Sequence, residues 1–343
     1  MEKSPSNGEI SLSVNTKAGI LTQQMYRSQP KINDYRGAPG FSPEMLGQDR
    51  AALDRKLRYI ERKSAEQASE DVENDPYGPW AEPTMVAVMR SNDFIGAEAD
   101  TFSYLASEYD DKIQGTDVVF ELKDNLGRAS TYSIDVATGT NPQNIKGKFD
   151  HSVQNGNPTL PYEADIHYCT SKTGTRYTAK GAPHFIVGVQ PSLLEKAIDK
   201  FNFTADGIPE GREPDPATDF KLLSEMYEQI GMQVAVYQLA NKDVRDSHFA
   251  KLGAILGPVE RRLMRICGAT GDTNDAVRAD FNNKYAKLKK EFSGEVFYKH
   301  PTGEEIKPDK VYKNILEETE RRRIAAQKVL ANRRGNKISA AVR

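Results

Sequence analysis

Two short β-rich runs, Asp117 to Lys123 (DVVFELK) and Ser130 to Ala137 (STYSIDVA), are separated by the turn residues Asp124-Asn125-Leu126-Gly127, and the second run carries an aspartate in its apolar interior. This spacing predicts a β-hairpin. A side-chain period of two puts Asp117, Val119 and Glu121 on one face and groups Ser133, Asp135 and Ala137 on one face of the partner strand. Tyr132, Ile134 and Val136 take the other face. An ionised Asp135 among Ile, Val and Ala carries a heavy desolvation cost unless a cation or a hydrogen-bond network compensates it. A divalent cation held between Asp117 and Asp135 would compensate it. Hard oxygen ligands from two or three carboxylates, completed by water and phosphate, suit Mg²⁺ (or Mn²⁺).

The chain divides around this hairpin. Residues 1–41, rich in Ser, Asn, Gly and Pro, are expected to form a disordered arm. Residues 42–81 are expected to hold a helix opened by Ser42-Pro43-Glu44 and a linker broken at Asp75-Pro76-Tyr77-Gly78-Pro79. Within 82–205, Phe102, Leu105, Ala106 and Tyr109 fall at i, i+3, i+4 and i+7, which predicts a helix from about Ala97 to Tyr109. A helix through Ile145 and Phe149, a buried strand at His184 to Val189 (HFIVGV) and a helix from Pro191 follow the hairpin. Residues 206–219 read as a linker. Residues 220–343 carry apolar stripes at helical spacing and end in a basic tail. The fold class expected is α/β, a mixed sheet flanked by helices, with an all-helical C-terminal region.

The same residues resemble the PD-(D/E)xK nuclease superfamily, in which a helix bearing a Glu precedes a hairpin carrying an Asp and a (Asp or Glu)-x-Lys, then a helix and a further strand. Glu108 matches the helix acid, Asp117 in Gly115-Thr116-Asp117 looks like the first hairpin acid, and Asp135 is similar to the second. The lysine departs from the pattern, because Ala137 stands two residues after Asp135. Some members carry that lysine on the following helix, where Lys146 or Lys148 would fill the role. A rival register, Asp111 with Glu121-Leu122-Lys123, spells the literal string but leaves Asp135 unexplained. The resemblance implies a restriction-endonuclease-like core and metal-dependent hydrolysis of phosphodiester bonds, with nucleic acid, DNA favoured, as partner. Asp117, Asp135 and Glu108 would hold the metal. The alternative is a non-catalytic nucleic-acid or protein interaction module on a degenerate core.

Charge fits either reading only when taken in blocks. Lys and Arg number 47 against 49 Asp and Glu, a formal charge of −2. The tail from Arg321 to Arg343 nevertheless holds basic residues and no acidic one, so Arg321, Arg322, Arg323, Lys328, Arg333 and Arg334 are expected to hold nucleic-acid phosphates. Two cysteines are too few for a disulfide framework, the amino terminus lacks the apolar core of a secretory signal, and no apolar stretch reaches bilayer length, so a cytoplasmic chain is expected. Phosphate-cradling glycine loops are absent from the sequence. His151 and His167, with Glu163 and Asp165 nearby, match no recognised metal-ligand spacing.

Overall fold

A computed structural model describes residues 12–67, 78–91, 100–123, 129–139, 141–151, 163–204, 209–240, 254–269, 275–292, 298–299, 305–306 and 310–341. The strands β1 (Asp100–Leu105), β2 (Val118–Lys123), β3 (Ala129–Ala137), β4 (Glu163–Thr170) and β5 (Arg176–Gly188) form one mixed sheet in the order β1-β2-β3-β5-β4. The first three run as an antiparallel meander, and β3 pairs in parallel with β5. A parallel pair needs a crossover, and α4 (Pro142–His151) lies in it. The hairpin has the expected faces: Val119 lies opposite Ser133, and Glu121 opposite Thr131. The apolar face, with Val118, Phe120, Ile134 and Val136, joins the main core.

Three expectations are corrected. Residues 100–105 form a strand, not the later part of a helix over 97–109; residues 97–99 lie outside the described residues. Phe102 and Tyr104 join one cluster and Leu105 the opposite one, a period of two that β2 enforces through pairing along the whole strand. Residues 12–41 are not an irregular arm either. There α1 (Val14–Arg27), capped by Ser13, buries Ala18, Leu21 and Met25 in the main core, and α2 (Pro43–Gln67) follows with the Ser42 hydroxyl accepting from the Met45 amide at 3.1 Å. Within the expected linker 206–219, β7 (Pro209–Arg212) pairs with β6 (Phe201–Phe203), and Asp215 caps α6 (Pro216–Ala240).

The C-terminal region is helical but not all-helical. It consists of α6, α7 (Leu256–Ile266), α8 (Asp275–Phe292) and α9 (Lys310–Ala341), with a small pair of strands, β8 (Tyr298–Lys299) and β9 (Glu305–Ile306), ahead of α9. These helices are continuous with the sheet. Among the described residues β4 pairs with β5 as far as Pro183, and the edge of β5 beyond it needs other partners. Gln229 and Gln233, one turn apart on α6, supply them. Each side-chain carbonyl accepts from a β5 amide (Gly188 N at 2.7 Å, Ile186 N at 2.9 Å), and each side-chain amide donates to the carbonyl of the same residue at 3.0 and 2.8 Å. Two glutamines thus stand in for a missing strand. Gly188 permits the approach, since a Cβ there would lie 2.9 Å from Ile315 and Val311 of α9. Among the described residues no helix is long and apolar enough to cross a membrane.

This edge closure predicts a measurable loss. Gln233→Ala leaves the Ile186 amide and carbonyl buried without their partner and should cost about 1–3 kcal/mol in urea denaturation. Gln233→Glu, which loses the donor alone, should also destabilise. A variant within experimental error of the parent would show that the edge is solvated instead.

Candidate functional site

The site is assembled where β1 hands over to β2. After β1 the chain makes a turn with a short π-helical segment at Asp110–Gln114, closed by Gly115 at φ 72°. Positive φ is costly for other residues, so glycine allows the reversal that delivers Thr116 and Asp117 to the head of β2. Asp110 pins this turn from below. Its buried carboxylate accepts from the Ser107 hydroxyl (2.7 Å) and from the backbone amides of His167 (2.7 Å) and Tyr168 (3.0 Å) of β4. Burial pushes its pKa up to about 6, against the opposing pull of those three donors.

Asp117 and Asp135 come together on one face. The Asp117 carboxylate accepts from the Val136 amide at 2.7 Å, and it lies within hydrogen-bonding reach of the Asp135 carboxyl. Lys148 joins them: its ammonium donates to Asp135 and lies 3.7 Å from Asp117 Oδ2. Helical spacing explains the choice of lysine. Ile145 and Phe149 bury the inner face of α4, Lys148 at i+3 from Ile145 shares that face, and Lys146 is exposed on the other side. Of the two lysines, Lys148 and not Lys146 therefore reaches the two aspartates.

One acid escaped the sequence reading. Glu82, in the first turns of α3 (Gly78–Arg90), is half-buried and interacts electrostatically with Asp117, Asp111 and Lys148. Burial, followed by the Asp117 and Asp111 carboxylates, pushes its pKa up to about 8. Asp117 is raised well above the ordinary carboxylate range by burial and then by Asp135. Burial of Lys148 favours the neutral amine, but Asp135 and Asp117 outweigh it and raise its pKa above that of an ordinary lysine. Four carboxyl groups, Glu82, Asp111, Asp117 and Asp135, thus lie around Lys148 and Lys112. A cavity of about 260 Å³ opens beside them, lined by Asp111, Lys112, Gln114, Asp135, Lys148 and His184. His184 is fixed there by Ser133, whose hydroxyl shares hydrogen bonds with His184 Nδ1 (2.6 Å) and Thr116 Oγ1 (2.8 Å).

Other sequence candidates fall elsewhere. Glu108, expected as the helix acid, is exposed on the turn after β1, and the helix that carries an acid toward Asp117 is α3. In the rival register Asp111 does line the cavity. Glu121, four residues and roughly 13 Å along β2 from Asp117, instead accepts a hydrogen bond from Tyr177. His167 Nδ1 pairs with Asp49 at 3.1 Å, and among the described residues no three His, Cys, Asp or Glu side chains form a group that could hold a metal on their own. Among the described residues of the basic tail, the three arginines at its start are in internal pairs. Arg322 is buried, donates to Glu318 (3.0 Å) and to Asp150 of α4 (2.6 Å), and stacks over Phe149 at 5.2 Å, so it docks α9 onto the helix that carries Lys148. Arg321 pairs with Glu318 and Arg323 with Glu320. Lys328 is exposed, and the side chains of Arg333 and Arg334 lie outside the described residues. Comparison with known proteins finds no matching family model, no matching curated protein and no matching solved structure.

A raised carboxyl pKa in the folded state stabilises below the unfolded value and ceases to do so as pH rises through the folded one. For Glu82 that window runs from the ordinary glutamate range near 4.5 up to about 8. Glu82→Gln should therefore match the parent near pH 4.5 and exceed it by up to a few kcal/mol at pH 8.5 in the presence of a chelator. Urea midpoints at the two pH values check this; a gap that narrows with rising pH contradicts it.

Proposed function

We propose that the chain is a metal-dependent phosphodiester hydrolase acting on nucleic acid, built on a PD-(D/E)xK-like core. One observation carries this reading: Asp117 and Asp135 meet on one face of a hairpin, in contact with a lysine delivered by the crossover helix. The order α3, β1, β2, β3, α4, β4, β5, with β5 parallel to β3, supports it, because it contains the helix, hairpin, helix and strand that the resemblance calls for, with β1 and β4 added. Glu82 on α3 takes the role first given to Glu108. The free, buried cysteines Cys169 and Cys267 support a reducing, cytoplasmic setting.

The donor set suits a hard cation. Asp117 and Asp135 are oxygen ligands, and two carboxylates with water and phosphate oxygens suffice for Mg²⁺ or Mn²⁺. When bound, such a cation polarises the scissile phosphate and lowers the pKa of water at the site. Asp117, held by the Val136 amide, stands within hydrogen-bonding reach of Asp135, which lines the cavity. Lys148, cationic and half-buried, faces the phosphoryl group and offsets the negative charge that grows as the phosphorus becomes five-coordinate. Glu82, which burial and the neighbouring carboxylates keep protonated up to about pH 8, would accept a proton from attacking water only after giving up its own. His184, oriented by Ser133, lines the same cavity as a further donor to phosphate.

A second reading has its own support. Lys148 already neutralises the two aspartates, and no third ligand stands beside them to complete a protein-only metal site among the described residues. In that reading the core binds nucleic acid without cutting it. A cleavage assay on single- and double-stranded DNA and RNA with Mg²⁺ or Mn²⁺ separates the two. Hydrolysis that falls to background in Asp135→Asn and by about 10²–10³-fold in Lys148→Met supports the enzyme. Cleavage unaltered in Asp135→Asn, or no cleavage of any substrate, removes it.

A further inference from the structure

The first half of α2 is anchored to the body. Leu46 and Leu53 are buried against Tyr109 and Tyr168, Leu57 packs beside Ile113, and the Asp49 carboxylate accepts from the Tyr168 hydroxyl at 2.7 Å. These contacts lay the helix on the π-helical turn, whose Asp111, Lys112 and Gln114 line the cavity. From Arg55 to Lys63 the outer face of the helix changes character. Arg55, Arg58, Tyr59, Arg62 and Lys63 fall at i, i+3, i+4, i+7 and i+8, opposite the buried stripe, and all are exposed. Asp54 and Glu61 lie toward one flank of this stripe. Tyr59 is 45% exposed, one of few large apolar side chains so placed among the described residues. Its ring is surrounded by cations, with Lys56, Arg62 and Lys63 at 6.0, 5.8 and 5.8 Å from its centre.

We infer that this face of α2 is the track on which a nucleic-acid strand approaches the cavity, its phosphates held by Arg55, Arg58, Arg62 and Lys63 and an unpaired base stacked on Tyr59. The inference rests on the reading of the cavity as a phosphodiester site. Charge complementarity selects a polyanion, and an exposed aromatic ring among cations adds what a phosphate-only surface lacks, a flat apolar face for a base. The basic tail, first expected to serve this purpose, has Arg321, Arg322 and Arg323 engaged in ion pairs with acids of the chain itself. A single strand fits better than a duplex, because a paired base does not present its face to a side chain.

Binding of a fluorescent thirty-nucleotide oligo-dT to the full chain, measured by anisotropy in EDTA so that cleavage plays no part, tests this. The triple variant Arg55→Glu/Arg58→Glu/Arg62→Glu should bind at least about tenfold more weakly, and its log-affinity against log-salt slope should flatten by about two, the value for three phosphate contacts on a single strand. Tyr59→Ala should weaken the oligo-dT more than a duplex of equal length. Lys313→Glu, on exposed α9, should bind as the parent does. Circular dichroism melts of each variant separate lost contacts from lost folding, which the exposed positions should preserve. Unchanged affinity and slope in the triple variant overturn the inference while a working cleavage assay leaves the enzyme standing. Lost binding in the triple variant with no cleavage by the parent supports the track and sinks the enzyme. A parent that binds no oligo-dT overturns the inference and leaves the enzyme to its cleavage assay.

Discussion

The meeting of Asp117, Asp135 and Lys148 is the constraint around which the rest of the molecule is arranged. Two carboxyls buried side by side repel each other and lose their water, and an ammonium shared between them is the least that makes the arrangement tolerable. Each partner comes from a different element: Asp117 from the head of β2, Asp135 from the end of β3, Lys148 from the crossover helix. The parallel junction of β3 with β5 makes α4 cross at that end of the sheet, and this crossing brings Lys148 to the pair.

Supports for this arrangement reach outward in layers. The Asp110 carboxylate ties the π-helical turn to β4, so the loop carrying Asp111 and Lys112 is held by backbone hydrogen bonds and not by its own packing alone. Arg322 of α9 clasps α4 through Asp150 and Phe149. Gln229 and Gln233 seal the edge of β5 against α6, so the helical region completes the sheet to which the site is attached. Burial first, and the neighbouring carboxylates second, raise the pKa values of Glu82 and Asp117, so the centre of this frame retains protons beside the Lys148 ammonium.

What was legible in the sequence followed from short-range periodicity. The hairpin and the facing of Asp117 and Asp135 come from a period of two that pairing reinforced. Lys148 was visible as one of two lysines, and the helical register of Ile145 and Phe149 already favours it over Lys146. Glu82 is hidden, because Asp75-Pro76-Tyr77-Gly78-Pro79 reads as a breaker, whereas Pro79 at the helix start is tolerated and α3 runs on through Pro83 into the apolar run Met85 to Met89. The false helix over 97–109 arose because Phe102, Leu105, Ala106 and Tyr109 span a strand and a turn whose combined spacing imitates one apolar stripe. Counting cations from Arg321 onward leaves out Glu318 and Glu320, which stand just before that boundary at the helical spacing that pairs them with Arg321, Arg322 and Arg323. The two glutamines carried a signal that went unread, since polar residues four apart within the buried stripe of α6 need buried partners.

The central claim is that the paired aspartates form a cation site, and calorimetric titration with Mn²⁺ in buffers of different ionisation enthalpy tests it most directly. A cation entering beside Asp117 and Glu82 must displace the protons those groups retain. The account predicts saturable binding of one Mn²⁺ per chain at pH 7, accompanied by proton release, with binding lost in Asp117→Asn. Absence of binding, or binding and proton release unchanged in that variant, would contradict it.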